Sequence, residues 1–255
     1  MLTIDELKSR APAAFVTRPA AMMSERYGFV RTADLLPEFA NNGWVPVSAQ
    51  QDRPTKRDVN YVRHAIVLRP EQGDNLPVVG EQVPQIMLIN SHNGRTKLRM
   101  MGGLYRFICS NGLVVGETRF AAELAHKQSL SSAVGQYVDS LMSNLGNLNN
   151  TIELWKKTEL SEETALDFAR KAIKLRFNES AGAYKPEEFL VAKREEDDGR
   201  DLWRTFNKVQ ERTVTGGMHG INSAGRALQS RALTGIGQSL TFNQRLWSLA
   251  AEYAS

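Results

Sequence analysis

Positively charged residues recur in this sequence at spacings that suit contact with phosphate groups. Arg95, Lys97 and Arg99 alternate with less polar residues over the segment 95–100. In a β-strand, residues two apart lie on the same face. The pattern therefore predicts a strand that is basic on one face and buried on the other, as in a protein that binds a polyanion. Cations also protect edge strands against aggregation, so both interpretations stay open here.

A second set of cations follows the period of a helix. Its members recur at four-residue intervals and are Arg200, Arg204, Lys208 and Arg212. At about 100° per residue they cover about 120° of one helix face, and the opposite face is apolar and aromatic. We therefore predict a helix over 200–214 that packs through its apolar face. Its cations are either a solvated surface or a ridge that follows phosphates, and four phosphate contacts would give a salt slope of roughly −3.

Further cations and two aromatic rings lie in or before the predicted strands. Arg63 belongs to a predicted strand over 60–69, and the polar loop before that strand carries Arg53, Lys56 and Arg57. Trp44 and Tyr61 are the rings that we predict to stack on bases, a contact worth about 1–3 kcal/mol per base. Taken singly, each of these rings is more typical of a protein core.

The residue types that carry most enzyme chemistry are scattered. The histidines are His64, His92, His126 and His219, and none has a second histidine four residues away. The sequence therefore predicts no zinc site. The single cysteine, Cys109, has apolar neighbours typical of a buried structural thiol, and the carboxylates of residues 194–201 are predicted to be solvated. Because no phosphate-binding glycine loop or nucleophile motif occurs, we predict a protein that is not an enzyme and uses no metal or cofactor.

The composition is that of a protein with a sizeable core. The chain has 255 residues, 42% hydrophobic and 24% charged, with a formal net charge of +4. One cysteine cannot form an intramolecular disulfide, which fits a reducing compartment. No apolar run approaches the ~20 residues that span a bilayer, and the N-terminus lacks a signal-peptide pattern. We therefore expect a cytoplasmic protein that has no contact with membranes.

The apolar patterns predict an α+β fold, with a curved antiparallel β-sheet and a packed helix in the N-terminal half and a helical C-terminal half. Residues 1–25 are predicted to be a weakly ordered arm, 26–118 a β-rich core, and 119–255 a mainly helical region packed on that core. The predicted strands are 26–31, 44–50, 60–69 and the two strands of a hairpin over 85–101.

Local signals define the turns and the first helix of the β-rich core. Asn93-Gly94 is the pair that best suits a two-residue type I′ turn, so we place the hairpin turn there. Gly102-Gly103 is predicted to end the hairpin. Thr32 is predicted to cap a helix over 33–42.

Helical periodicity dominates the sequence after about residue 120. Apolar residues recur near every 3.6 positions over 130–156. Ser161 is a predicted N-cap for a helix over 162–177, and a last amphipathic helix is predicted over 240–253. The glycine-rich segment 215–237 is predicted to be a loop.

Several segments of the chain resemble one known family. They are RYGFVRT (26–32), GWVPVS (43–48), LINSHNGRTKLRMMGGLYRFICSNGLVV (88–115), DLWRTFNKVQE (201–211), GRALQSRALTGI (225–236) and FNQRLWSLAAE (242–252). Together they are similar to the phage- and plasmid-like protein family of unknown function, over nearly the whole chain. The resemblance implies a role in a prophage, phage or plasmid, and it supplies no catalytic residues.

A weaker resemblance concerns LLPEFANNGWVPVSAQQ, residues 35–51, and the strands that follow. This region is similar to the start of single-strand annealing proteins of the RecT/Redβ/Erf superfamily, through the motif Asn42-Gly43-Trp44. In those proteins a β-sheet and a helix line a basic groove for DNA, and subunits form rings or filaments. The resemblance implies a homo-oligomer.

The cations and the resemblances together favour a mobile-element protein that binds DNA without sequence specificity, preferably single-stranded, with annealing of complementary strands as an extension. The predicted nucleic-acid-binding residues are Trp44, Tyr61, Arg63, Arg95, Lys97, Arg99, Arg200, Arg204, Lys208 and Arg212. The alternative is a counter-defence module that binds a host or phage protein and inhibits a host nuclease or restriction system. The glycine-rich segment 215–237 would then be a loop that the partner orders.

Overall fold

The computed structural model describes residues 1–53, 59–71, 82–106, 120–123 and 130–254. Within these residues, helices and strands form the predicted α+β fold, with a β-sheet in the N-terminal half and helices in the C-terminal half. The chain divides into two units, one of residues 1–107 with 118–146 and the other of residues 108–117 with 147–255.

The first unit is built on an antiparallel β-sheet. Its strands follow the same order in the chain and in the sheet, and they are β1 (Trp44–Gln51), β2 (His64–Pro70), β3 (Gln82–Asn90), β4 (Arg99–Arg106) and β5 (Phe120–Glu123). Each strand pairs antiparallel with the next. β2 begins later than predicted because Val59–Tyr61 forms a 3₁₀ turn before it. The helices of this unit are α1 (Ile4–Arg10), α2 (Leu35–Asn41) and the first part of α3 (Leu130–Lys157).

Buried apolar side chains join the sheet of the first unit to its helices. They include Ile66, Leu68, Ile86, Leu88 and Met100 from the strands, Leu7 from α1, Phe39 from α2, and Val134 and Leu141 from α3. The strand members are two residues apart within each strand, so they lie on one face of the sheet. This face is therefore the core of the unit.

The N-terminal segment, predicted to be a weakly ordered arm, contains a capped helix. Thr3 and Glu6 form a reciprocal capping box at the start of α1. Leu7 and Ala11 are completely buried, and the Leu2 N–H donates to Pro46 O of β1 at 2.7 Å. This segment packs because its apolar residues lie on one helix face and its backbone reaches a strand.

The segment 26–34 differs from the prediction. Residues 26–31 form no strand, and Thr32 begins a 3₁₀ turn, Thr32–Asp34, that leads into α2. Thr32 does not cap the helix, because its hydroxyl is buried and bonded to His64 at 2.7 Å. A long-range partner has therefore replaced the local capping bond.

The predicted hairpin is present as β3 and β4, but the connection at Asn93-Gly94 is not the predicted two-residue type I′ turn. Ile89 pairs with Arg99, so residues 91–98 form a wide loop and the strand begins only at Arg99. A type I′ turn needs a positive φ at both central residues. Gly94 has a φ of 73°, but the φ of Asn93 is not positive. The predicted alternation of buried and exposed side chains is found over residues 98–100, where Leu98 and Met100 are buried and Arg99 is exposed.

Gly102 does not end the hairpin, contrary to the prediction. It lies within β4, opposite Ile86. A Cβ atom at this position would lie 2.7 Å from both terminal methyl carbons of Leu141 and 2.8 Å from the Tyr137 hydroxyl. The glycine therefore allows α3 to approach the strand closely.

The second unit is helical, with one small hairpin in its described residues. Its elements after α3 are α4 (Glu162–Phe177), α5 (Pro186–Phe189), α6 (Leu202–Thr215), β6 (His219–Ile221), β7 (Ala227–Gln229) and α7 (Ile236–Ala251). The predicted cap of α4 is confirmed, since Ser161 Oγ accepts from Thr164 N at 3.1 Å. The glycine-rich segment 215–237 is not a loop throughout, because β6 and β7 pair within it.

Aromatic rings form the centre of the second unit. Trp155 of α3 is completely buried, and its ring centroid lies 4.3 Å from Trp247 of α7 and 5.6 Å from Phe206 of α6. Phe206 and Trp203 stack at 5.8 Å. The apolar face predicted for the helix over 200–214 is thus the face that packs.

Some predictions fall on residues outside the described ranges. They concern Cys109 as a buried thiol, the cations Lys56 and Arg57, and His126.

Candidate nucleic-acid interface

Several of the predicted binding residues meet at one end of the sheet in the first unit. The pairing of His64 with Asn90 places the residues before β2 beside the residues after β3. The pairing of Ile89 with Arg99 adds the start of β4. We call this region the basic end, and its cations are Arg63, Arg95, Lys97 and Arg99. Arg63 is half-buried and the other three are exposed.

The loop 91–98 at the basic end is held by its own polar side chains. Asn93 Nδ2 donates to Tyr61 O at 2.6 Å, and Asn93 Oδ1 accepts from Arg95 N at 3.1 Å and from Ser91 Oγ at 2.9 Å. Ser91 Oγ also accepts from Thr96 N at 2.9 Å. The cations of the loop are therefore presented by a fixed backbone.

Arg63, which directly precedes β2, also holds the loop 91–98 in place. Its Nε donates to Thr96 Oγ1 at 3.1 Å, and its guanidinium lies 3.9 Å from Asp52 Oδ2. Both side chains of this ion pair are about one-third exposed, at 35% and 31%, and such pairs contribute little to stability. Arg63 therefore positions the loop and leaves part of its charge at the surface.

The segment 18–27, which no sequence pattern links to this site, contacts the loop 91–98. Ala20 N donates to His92 O at 2.9 Å, and the Tyr27 hydroxyl donates to Ser91 O at 3.2 Å. The segment carries two exposed cations, Arg18 and Arg26. Sequence reasoning missed it because the Tyr27 contact joins residues 64 positions apart, and no short-range signal encodes such a contact.

The two rings predicted to stack on bases have different environments. Tyr61 is half-buried at the basic end, where its carbonyl accepts from Asn93. Trp44 is only 2% exposed and belongs to the core cluster of the first unit. Its ring is enclosed by protein, so in this structure Trp44 cannot stack on a base.

The cations along α6 hold a neighbouring loop instead of forming an open ridge. Arg204 donates to Asp201 Oδ2 at 2.8 Å and to Glu196 O at 3.2 Å. Lys208 donates to Gly199 O at 2.7 Å and is only 9% exposed, and Arg212 donates to Val191 O at 3.2 Å. These three cations are therefore bonded to the backbone of the segment 191–199, and Lys208 is buried while Arg204 stays exposed.

The other residues of this region also depart from the prediction. Arg200 precedes α6 and is exposed. The acidic segment 194–201 is not simply solvated, since Asp197 is 2% and Asp201 1% exposed. Asp201 caps α6 by accepting from Arg204 N at 2.9 Å. The α6 cations lie in the second unit and the basic end in the first.

A buried polar cluster lies next to the basic end, in the core of the first unit. His64 Nδ1 lies 3.3 Å from Val62 O, and a carbonyl only accepts, so Nδ1 carries the proton. His64 Nε2 then accepts from the Thr32 hydroxyl at 2.7 Å, and Thr32 Oγ1 accepts from Asn90 Nδ2 at 3.1 Å. The His64 and His92 rings are 5.0 Å apart.

The Thr32–His64 pair has the geometry of a nucleophile and its base, but both side chains are inaccessible to solvent. Thr32, His64 and His92 are completely buried and Asn90 is 3% exposed, so no substrate can reach the hydroxyl in this structure. The cluster instead pairs the buried side chains of Thr32, His64 and Asn90 with one another, between the sheet and the segment before α2.

The buried histidines predict a loss of stability in weak acid. Burial, and secondarily the neighbouring His92, lowers the pKa of His64 to about 3, and burial also lowers the pKa of His92. Unfolding restores a pKa of about 6.5, so the unfolded state binds more protons between about pH 6.5 and 3. We expect the free energy of unfolding to fall by up to about 1.4 kcal/mol per pH unit through His64 as the pH drops below 6.5, and His92 contributes in the same direction.

Urea unfolding between pH 7 and 4.5 measures this effect. The comparison is with the double variant His64→Gln/His92→Gln, which has the same carboxylates and should show a shallower decline below pH 6.5. Equal declines in both proteins would contradict the role assigned to the histidines.

The loop 91–98 provides a prediction about preorganisation. Asn93→Ala removes three hydrogen bonds of a part-buried side chain, each worth about 1 kcal/mol net. We expect the melting temperature to fall and the affinity for a single-stranded oligonucleotide to drop about 3- to 10-fold without any change of charge, because the loop must then be ordered on binding.

Asn222→Ala is the matched control for this change. Asn222 Oδ1 accepts from Ala224 N and Arg226 N in the β6–β7 turn of the second unit, so the variant loses similar bonds far along the chain. Equal affinities for the two variants would contradict a role of Asn93 in binding.

In the ranges given above, no group of three or more His, Cys, Asp or Glu side chains could hold a metal ion. No helix in those ranges is both long and apolar enough to cross a membrane.

The described residues form an α+β fold with the basic end at one end of its sheet. The chain belongs to the family described as Domain of unknown function (DUF932), whose model matches residues 19–247. This confirms the predicted membership of a family of unknown function.

Two relatives from Escherichia coli (strain K12) match nearly the whole chain. The UPF0380 protein YafZ is 31% identical over 252 residues, which are 98% of this chain and 90% of the relative. The UPF0380 protein YfjQ is 30% identical over 252 residues, with the same shares covered. No solved structure matches the chain significantly.

Proposed function

We propose that this protein binds DNA without sequence specificity, preferably single-stranded, and that it breaks no bond. One observation carries the proposal: the basic end presents Arg95, Lys97 and Arg99 at the surface, on a loop and strand start that hydrogen bonds hold in place. A fixed cationic surface suits a ligand whose charges recur along a chain.

Binding at the basic end would proceed through the phosphate backbone. Arginine and lysine donate charge-assisted hydrogen bonds to phosphate oxygens, and such contacts position a nucleic acid without reading its sequence. Each neutralised phosphate releases condensed counterions, so the affinity would fall steeply with salt. Arg18 and Arg26 would extend the same surface, because their segment contacts the loop.

A preference for single strands follows from the shape and chemistry of the surface. Single strands expose the faces of their bases, which a duplex hides, and Tyr61 offers a half-buried ring beside the cations. Base–aromatic stacking tolerates any sequence because every base has a π-face. A flexible single strand can also follow the surface of the loop, whereas a stiff duplex can do so only at the energetic cost of bending.

A role in a mobile element and the annealing of complementary strands extend the proposal. The first is supported by the resemblance to proteins of phages and plasmids, and the second by the weaker resemblance of residues 35–51 to annealing proteins. Annealing would require a homo-oligomer that holds two strands. Light scattering with and without single-stranded DNA tests this extension, and a DNA-dependent ring or filament would support it.

The proposal is tested by fluorescence anisotropy with two labelled oligonucleotides of unrelated sequence at 50 mM salt. We expect both to bind with similar dissociation constants of about 10 μM or tighter. An unlabelled single strand should compete better than a duplex of the same length. A strong preference for one of the two sequences, or for the duplex, would contradict the proposal.

The same experiment separates the counter-defence alternative. A protein-binding inhibitor would show no affinity for either oligonucleotide and would bind one host protein with weak salt dependence. A nuclease would degrade plasmid DNA in the presence of a divalent metal, and we expect the pure protein to leave plasmid intact.

A further inference from the structure

A groove lies between α4 and α7 in the second unit. Its lining residues are distant in the sequence from those of the basic end. Its volume is about 780 Å³, and its lining includes Lys171, Lys174, Asn178, Arg245, Ser248 and Leu249. Pockets of about 300–1,000 Å³ suit small organic ligands. The groove is therefore large enough for a small organic ligand.

The walls of the groove carry more positive than negative charge. Lys174 lies on α4 and Arg245 on α7, and both are exposed. Among the contacts of the described residues, neither side chain has a hydrogen bond or an ion pair. Glu252 is the carboxylate among the described lining residues, so the cations outnumber it. Two cations from different helices thus border one space, and no anion among the described residues forms an ion pair with either of them.

The third cation of the groove is held in place by its own helix and the C-terminal turn. Lys171 Nζ lies 2.8 Å from Asp167 Oδ2, and the Tyr253 hydroxyl donates to the same oxygen at 2.6 Å. The Asp167 hydrogen bond raises the pKa of Lys171, so its ammonium is always charged. This network connects α4 with the turn after α7 beside the groove.

Neutral donors and an apolar floor complete the lining. Asn178 ends α4 with a φ of 48°, a conformation that L-residues rarely adopt and that asparagine tolerates best. Its amide and the exposed Ser248 hydroxyl are hydrogen-bond donors, and the apolar Leu249, 8% exposed, is part of the lining. Cations, neutral donors and an apolar surface together suit a phosphate that is attached to an organic body.

We propose that the α4–α7 groove binds a phosphate group that belongs to a nucleotide, either free or within a nucleic-acid chain. In the second case this inference rests on the proposed function and adds a second phosphate contact to it. Lys174 and Arg245 bind the phosphate from opposite walls, Asn178 and Ser248 donate further hydrogen bonds, and Leu249 contacts the organic part.

The test uses the full chain and the charge reversal Lys174→Glu/Arg245→Glu, with the milder Lys174→Gln/Arg245→Gln as a second variant. The control is Lys156→Glu/Lys157→Glu, which makes the same charge change at two exposed lysines at the end of α3. The probes are AMP, measured by calorimetry, and a labelled dT20 oligonucleotide, measured by anisotropy over a salt series. Circular dichroism checks that each variant is folded.

If the phosphate belongs to a nucleic-acid chain, the groove variant should bind dT20 about 10-fold more weakly at 50 mM salt. Its salt slope should be smaller in magnitude by about 0.7, which corresponds to one lost phosphate contact on a single strand. If the phosphate belongs to a free nucleotide, AMP should bind the wild type and the control but neither groove variant. Either result supports the groove.

The inference is overturned if folded groove variants match the control with both probes. A wild type that binds AMP through the groove but not dT20 would refute the proposed function and leave the groove site standing. A wild type that binds dT20 equally well in control and groove variants, and binds no AMP, would refute the groove alone.

Discussion

The double variant Arg95→Glu/Lys97→Glu is expected to bind single-stranded DNA about 30- to 100-fold more weakly than the wild type at 50 mM salt. Both side chains are exposed on the loop 91–98. Their reversal would remove two attractions to phosphate and add two repulsions, each about 1 kcal/mol at 4 Å in water before screening by salt. The sum after screening is about 2–3 kcal/mol.

The loss should be the same for oligonucleotides of unrelated sequence, because phosphate contacts carry no base information. The control is again Lys156→Glu/Lys157→Glu, which changes the net charge by the same amount outside the basic end. If the two variants lost affinity equally, the effect would come from net charge and the basic end would not be the binding surface. The folded state of both variants is checked by their melting temperatures.

Trp155→Ala is expected to have the largest effect on stability, a loss of about 3–5 kcal/mol in the free energy of unfolding of the second unit. The side chain is completely buried, and its ring contacts Trp203, Phe206 and Trp247 at centroid distances of 4.3–6.4 Å. Removal would leave a cavity among side chains of α3, α6 and α7 that are themselves large and cannot fill it.

Urea unfolding followed by far-ultraviolet circular dichroism measures this loss. Leu154→Ala, at a neighbouring site that is 51% exposed, should change stability by less than about 1 kcal/mol. Trp155→Phe should cost less than the alanine variant, since it keeps an aromatic ring and removes an indole N–H that has no hydrogen-bond partner among the described residues. A Trp155→Ala protein as stable as Leu154→Ala would contradict the assigned core.

The helices of the C-terminal half could be predicted because their signals are local. The apolar period of α3 and the Ser161 cap of α4 depend on residues within a few positions of one another, and both are confirmed. The face of α6 that packs could be predicted for the same reason, since Trp203, Phe206 and Val209 follow the helical period and are buried.

The hairpin turn shows where local signals fail. Asn93-Gly94 is a favourable pair for a tight turn, but the Asn93 side chain bonds to Tyr61 O, 32 positions away in the sequence. The segment before α2 also contacts the loop through Ala20 and Tyr27. These long-range bonds stabilise a wider loop, and no pattern within the hairpin itself predicts them.

The α6 cations show a different limit. Their spacing correctly places them on one helix face, but spacing does not reveal what covers that face. Backbone carbonyls of residues 191, 196 and 199 accept from Arg212, Arg204 and Lys208 respectively. A cation that satisfies carbonyls of an irregular segment and a cation that awaits phosphate look identical in the sequence.

The salt dependence of single-strand binding tests the central claim most directly. The basic end offers four cations, Arg63, Arg95, Lys97 and Arg99, and each phosphate contact contributes about 0.7 to the slope on a single strand. A plot of log affinity against log salt for the wild type and dT20 should therefore be linear with a slope of roughly −3, and steeper by about 0.7 for each further phosphate bound by Arg18, Arg26 or the groove. An oligonucleotide that does not bind at 50 mM salt, or one that binds with a slope near zero, would contradict the account.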